Sequence, residues 1–121
     1  MPSRDEHITQ ARHNAAFYAA IDRVGFPDWA VTVLFYTALH YVDALLAEKG
    51  NIDPTKHTLR SDVVSRLAEL KPVYGDYEFL KNASYNSRYK PPTRFSAAYI
   101  QNLETRHLAH VRGAVARHIT V

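Results

Sequence analysis

The stretch Trp29–Ala47, WAVTVLFYTALHYVDALLA, constrains the fold of this chain more than any other. It is almost wholly apolar, with its few polar side chains at Thr32, Thr37, His40 and Asp43. A helix that is apolar all round is either a membrane span or the central helix of a bundle. About 20 such residues suffice to cross a bilayer, so length alone does not decide. His40 and Asp43 lie one turn apart on one face, and ionisable groups are costly at mid-bilayer. The flanking segments are long and polar. The stretch therefore reads as a buried central helix and not as a membrane segment. Asp28, after Pro27, is placed to cap its start, and Lys49-Gly50 supplies a basic last turn and a closing glycine.

The rest of the chain supplies partners for that helix. A first helix from about Arg4 to Arg23 opens on Ser3 and Glu6, which have capping-box spacing. Ala11, Ala15 and Tyr18 form one apolar stripe on it, and Asn14, Phe17 and Ile21 a second, so Asn14 reads as a core amide bonded to a neighbouring helix. The short connector Val24–Asp28, punctuated by Gly25 and Pro27, makes the first two helices antiparallel neighbours. After a loop at 51–56, a shorter helix spans about His57–Leu70, with Leu59, Val63, Leu67 and Leu70 at helical spacing. Pro72 breaks the chain before a fourth helix, about Val73–Tyr89, whose stripe is Tyr74, Tyr77 and Leu80 with Tyr85 further round. Lys90–Phe95 cannot be helical through its prolines. Ser96 then caps a last helix, about Ala97–Ile119, with Ile100, Leu103, Leu108, Val111, Val115 and Ile119 as its face. No segment reads as strand and no repeat is present. The expectation is one all-α domain over residues 1–121, an up-and-down helical bundle of four long helices plus a shorter one.

Charge is distributed unevenly. Residues 1–79 carry eight Lys/Arg against eleven Asp/Glu, whereas residues 80–121 carry seven against Glu104 alone. Such a basic C-terminal part suits an acidic partner, with nucleic acid the commonest, although a dimer pairing basic and acidic faces would also use it. The chain has no cysteine, which excludes disulfide and thiolate chemistry and favours a reducing compartment. MPSRDEHITQ has no apolar core of a signal peptide, so the expected location is cytoplasmic.

Conventional catalytic signals are missing: there is no Gly-rich phosphate loop, nucleophile elbow or HExxH spacing. His107 and His110 can share a helix face but lack an evident third ligand, so they read as surface or bundle-seam residues, and neither a metal nor a cofactor is expected. The segment Ser84–Phe95, SYNSRYKPPTRF, alternates cations with aromatics, a composition that can hold a phosphate backbone and stack on bases. Lys81, Arg88, Tyr89, Lys90 and Arg94 are the candidate nucleic-acid-binding residues. Tyr77, Lys81, Ser84 and Arg88 share one helix face. Cations at a helix C-terminus also complement its dipole, which is the plain structural alternative. His57 and Arg60, one turn apart, can point into a groove beside the central helix. His40 and Asp43 are spaced for a His–Asp hydrogen bond, and a buried histidine of that kind more often serves packing than chemistry.

The run HNAAFYAAI, FPDWAVTVLFYTALHYVDALLAEKG, KHTLR and YEFLKNASYNSRY, in that order, resembles the HEPN superfamily of small helical bundles from prokaryotic defence and toxin–antitoxin systems. The resemblance runs from His7 to about Ile119. It implies a homodimeric helical module that binds RNA or a cognate protein, such as a nucleotidyltransferase. It also implies, as an alternative, a metal-independent endoribonuclease whose active site forms between two copies from an Arg and a later His. Arg112 and His118, with five residues between them, fit that motif in length, with Gly113 where a polar residue is usual; Arg106 and His110 are too close together. Otherwise the histidine would be His57 or His40, and Arg60 with Arg88 would stabilise phosphate charge. A purely structural, antitoxin-partner domain is the third expectation.

Overall fold

The computed structural model describes residues 2–50, 53–90 and 94–121. Every regular element among them is helical, in the order α1 (Arg4–Ala20), α2 (Pro27–Gly50), α3 (His57–Arg66), a 3₁₀ turn (Lys71–Val73) and α4 (Tyr74–Tyr89). A last rod follows: α5 (Ala97–Asn102), a π-helical stretch (Leu103–Leu108) and α6 (Ala109–Ala116). The architecture is the helical bundle read from the sequence, and α2 is its axis. Thirteen of the 24 residues of α2 are buried. α1, α4 and the last rod all pack against it, and Tyr18 of α1 also reaches Glu104 of the rod. α2 is long and apolar enough to cross a membrane, but 72% of its most apolar window lies inside the bundle. Its apolar surface is consumed by the core.

Local chemistry sets the ends of the elements. The Ser3 hydroxyl accepts from the Glu6 amide while the Glu6 carboxylate accepts from the Ser3 amide, the expected reciprocal cap. Ser96 caps α5 through the Tyr99 amide. Asp28 does not cap α2; the helix begins one residue earlier, with Pro27 pre-set at its first position and Asp28 in its first turn. α1 stops at Ala20, three residues short of Arg23, because Asp22 folds back onto the amides of Val24 and Gly25. α3 stops at Arg66, where Leu67 turns extended.

The buried stripes are narrower than periodicity suggests. On α1 the core side is His7, Ile8, Ala11 and Tyr18, whereas Ala15 and Phe17 are exposed. Asn14 bonds Gln10 on its own helix and not a neighbouring one. On α3 the inner face is Arg60, Ser61 and Val64, and Leu59 is exposed. That rotation follows from Arg60, whose guanidinium reaches inward to Asp43.

The π-helical stretch also has a packing cause. Leu103 and Val115 are both fully buried yet twelve positions apart. At about 100° per residue an unbroken α-helix would set them about 120° out of register. One residue absorbed in the wider turn brings them to within about 20°.

Candidate functional site

The facing surfaces of α2, α3 and α4 hold most of the polar side chains singled out in the sequence. At their centre Arg60 donates to both carboxylate oxygens of Asp43, Nε to Oδ1 at 2.7 Å and Nη2 to Oδ2 at 3.0 Å. A third bond, from Nη2 to the Pro54 carbonyl at 2.9 Å, ties the loop before α3 to this pair. Both side chains are buried, and a bidentate, charge-assisted geometry is the one in which a buried ion pair holds. Arg60 is thus committed to the fold. Asp43 turns both oxygens to it, and the His40–Asp43 hydrogen bond expected from their spacing does not form. His40 instead meets His7 of α1, Nδ1 to Nδ1 at 3.0 Å, one ring donating and the other accepting. Burial first, then the His7 ring, holds His40 below the usual imidazole value, so His40 is neutral near pH 7.

His57 lies on the solvent side of this ion pair. Its ring packs against Phe35 and Tyr36, with centroids 5.6 and 6.2 Å away. Arg88 approaches from α4, where Nη1 donates to the Tyr36 hydroxyl at 3.0 Å and Nε to the Ser84 carbonyl at 3.3 Å. Burial lowers the His57 pKa, and the charges of Arg60, Arg88 and Lys81 lower it further. All three cations therefore lie near enough to act on one imidazole. Lys81 is held by Glu78 at 2.9 Å and donates to the Ser61 hydroxyl at 2.8 Å, which in turn donates to Glu78. Tyr36, His57, Lys81 and Arg88 are each only half-buried, so the cluster reaches the surface.

Among the described residues three buried polar atoms, His57 Nδ1, the Tyr77 hydroxyl and Ser84 Oγ, make no hydrogen bond of normal geometry, although Arg60 lies close beside the Tyr77 hydroxyl. All three belong to the surfaces that frame this cluster. Each buried group left unsatisfied costs about 1–3 kcal/mol, so the place is polar beyond what its own contacts satisfy. The Tyr77 hydroxyl, buried above all, is held well above its usual pKa and stays protonated.

Of the nucleic-acid candidates, Lys81 and Arg88 join the cluster directly. Tyr89 and Lys90 extend it at the end of α4, where Arg88 lies 4.9 Å over the Tyr89 ring and Lys90 lies 5.7 Å over Tyr85. Arg94 is exposed beyond the 91–93 segment, which lies outside the described residues. Arg112 and His118 do not enter the cluster. They are exposed on α6 and in the turn that follows it.

Four participants went unnoticed in the sequence: His7, Ser61, Glu78 and Asp76. Asp76 Oδ1 accepts from both His107 Nδ1 at 2.8 Å and His110 Nδ1 at 3.2 Å, and Phe79 stacks on His107. His107 is therefore a buried seam residue. No group of three His, Asp or Glu among the described residues is arranged to hold a metal ion. Apart from Glu78, three positions from Lys81, these partners lie far in sequence from the residues they serve. The Asp76 pairing, for example, spans 31 positions to His107. Compared with known proteins, the chain matches no family model, no curated protein and no solved structure.

Proposed function

We propose that this chain is a HEPN-like module that dimerises and binds RNA in a prokaryotic defence or toxin–antitoxin setting, holding phosphate groups at the α2–α3–α4 cluster. The observation that carries the reading is the convergence of Lys81, Arg88 and His57 beside Tyr36, half open to solvent and over unpartnered buried polar atoms. Phosphate oxygens need several donors at once and favour cations with a planar fork, and Arg88 Nη2 makes no hydrogen bond among the described residues. The charge surplus of residues 80–121 and the aromatic rings of Tyr85 and Tyr89 continue the same surface.

Binding of single-stranded RNA, followed by fluorescence anisotropy across a salt series, tests it. Arg88→Ala and Lys81→Ala should each weaken binding for all sequences and reduce the salt slope by about 1. Wild-type protein that fails to bind at low salt removes the proposal. Sedimentation tests the dimer, and a monomer at micromolar concentration refutes it.

The endoribonuclease reading is favoured by one feature. His57 is an imidazole held neutral among cations, as a general base beside a phosphate must be. Arg60 is spent on Asp43, so Arg88 would take the charge-stabilising role. Incubation with total RNA in EDTA decides the matter: no cleavage, or cleavage indifferent to changes at His57, His40 and His118, excludes it.

A further inference from the structure

Beside Arg88 lies a cleft of about 200 Å³ lined by Asp28, Trp29, Thr32, Ser87 and Arg88. We propose that this cleft is a nucleobase subsite that selects a guanine-type edge. The inference rests on the phosphate reading above and names the base that would accompany the phosphate.

The walls divide the work. Trp29 opens the most apolar helix of the chain and yet is 57% exposed, leaving an indole face available to a stacking ring. The hydroxyls are consumed among themselves. Ser87 Oγ donates to the Asp28 carbonyl at 2.7 Å, and Thr32 Oγ1 therefore donates to Ser87 at 3.1 Å. This bridge joins α2 to α4 and fixes the floor. The charged residues that line the cleft are Asp28 and Arg88, and they are the groups we assign to meet a ligand. They share the cleft, and among the described residues neither is in an ion pair.

A carboxylate offers acceptors only, so it matches a base edge that presents two adjacent N–H donors. Guanine has such an edge, in its ring N–H and amino group. Adenine and cytosine set one amino group beside an acceptor, and uracil sets a single N–H between two carbonyls. Arg88 complements the choice, since a guanidinium pairs well with guanine O6 and N7 or with a phosphate. Because Arg88 also belongs to the phosphate cluster, the base and phosphate positions share one side chain and fall within one nucleotide of each other. The volume is below the roughly 300 Å³ of sites that enclose a whole ligand, which suits one base lying half in solvent.

Trp29 is the single tryptophan of the chain, so its emission reports on this cleft alone. The protein is titrated with GMP, AMP, UMP and ribose 5-phosphate, with calorimetry beside fluorescence. GMP should quench Trp29 and bind at least about fivefold more tightly than AMP or UMP. Ribose 5-phosphate should bind without quenching. Asp28→Asn should erase the preference for GMP over AMP and UMP. If all nucleotides bind only as well as ribose 5-phosphate and Trp29 emission does not move, the base subsite is wrong while the phosphate site stands. If ribose 5-phosphate and every nucleotide fail to bind, both fall.

Discussion

Asp43 receives two donors of Arg60 where neither group reaches bulk water, so each charge depends on the other. Removing one partner strands the other, which costs about 3–5 kcal/mol in buried pairs of this kind. Asp43→Ala should lose that amount in urea unfolding, whereas the double change Asp43→Leu with Arg60→Leu should recover most of it. Stability should also depend on pH at the two histidines whose pKa values are lowered from 6.5. A depressed imidazole binds its proton less well when folded, so the unfolded chain takes up more protons. The fold is therefore most stable above about pH 6.5 and weakens as pH falls below it. Thermal melts across that range check the sign, and His57→Phe should flatten part of the slope. The sequence placed His40, Asp43, His57 and Arg60 correctly as polar residues on inward faces. It could not say that Asp43 would take Arg60 and leave His40 to His7, because that exchange is decided by helices meeting at long range.

Elements begin where short-range chemistry is strongest, and there the sequence was most legible. Ser3 with Glu6 and Ser96 both cap as their spacing implies. Element faces were harder to read, since apolar periodicity cannot tell a stripe that is covered from one that is not. Leu59 and Phe17 keep the period and are exposed, while the charged Arg60 is buried. Two substitutions probe the elements themselves. Gly113 sits in α6 with nothing within 4 Å of where a Cβ would be. Gly113→Ala should stabilise the protein by about 0.5–1 kcal/mol and raise the melting temperature. Ala11 is fully buried on the inner side of α1, which packs against α2. Ala11→Leu should overfill that contact and destabilise by about 1–3 kcal/mol, read in the same melts.

At the scale of the whole molecule, one apolar helix is wrapped by the others, and its aromatic centre joins core to site. Phe35 is fully buried and touches Tyr77, Tyr36 and His57, so the ring that fills the core also supports the imidazole. Phe35→Ala should cost about 3–5 kcal/mol in unfolding experiments and disorder the cluster together with the core. The bundle was legible because a 19-residue run from Trp29 to Ala47 leaves few other ways to hide so much apolar surface. The irregular rod was not, although the spacing of Leu103 and Val115 contained the reason for it. That wide turn makes the length of the rod adjustable at one place. A single residue deleted between Leu103 and Leu108 would let the turn close into ordinary helix while Val111 and Val115 kept their bearing. The same deletion inside α2 would swing half of the core into water. Shorter variants of this chain should therefore collect at that turn, and the molecule can lose a residue there without refolding around it.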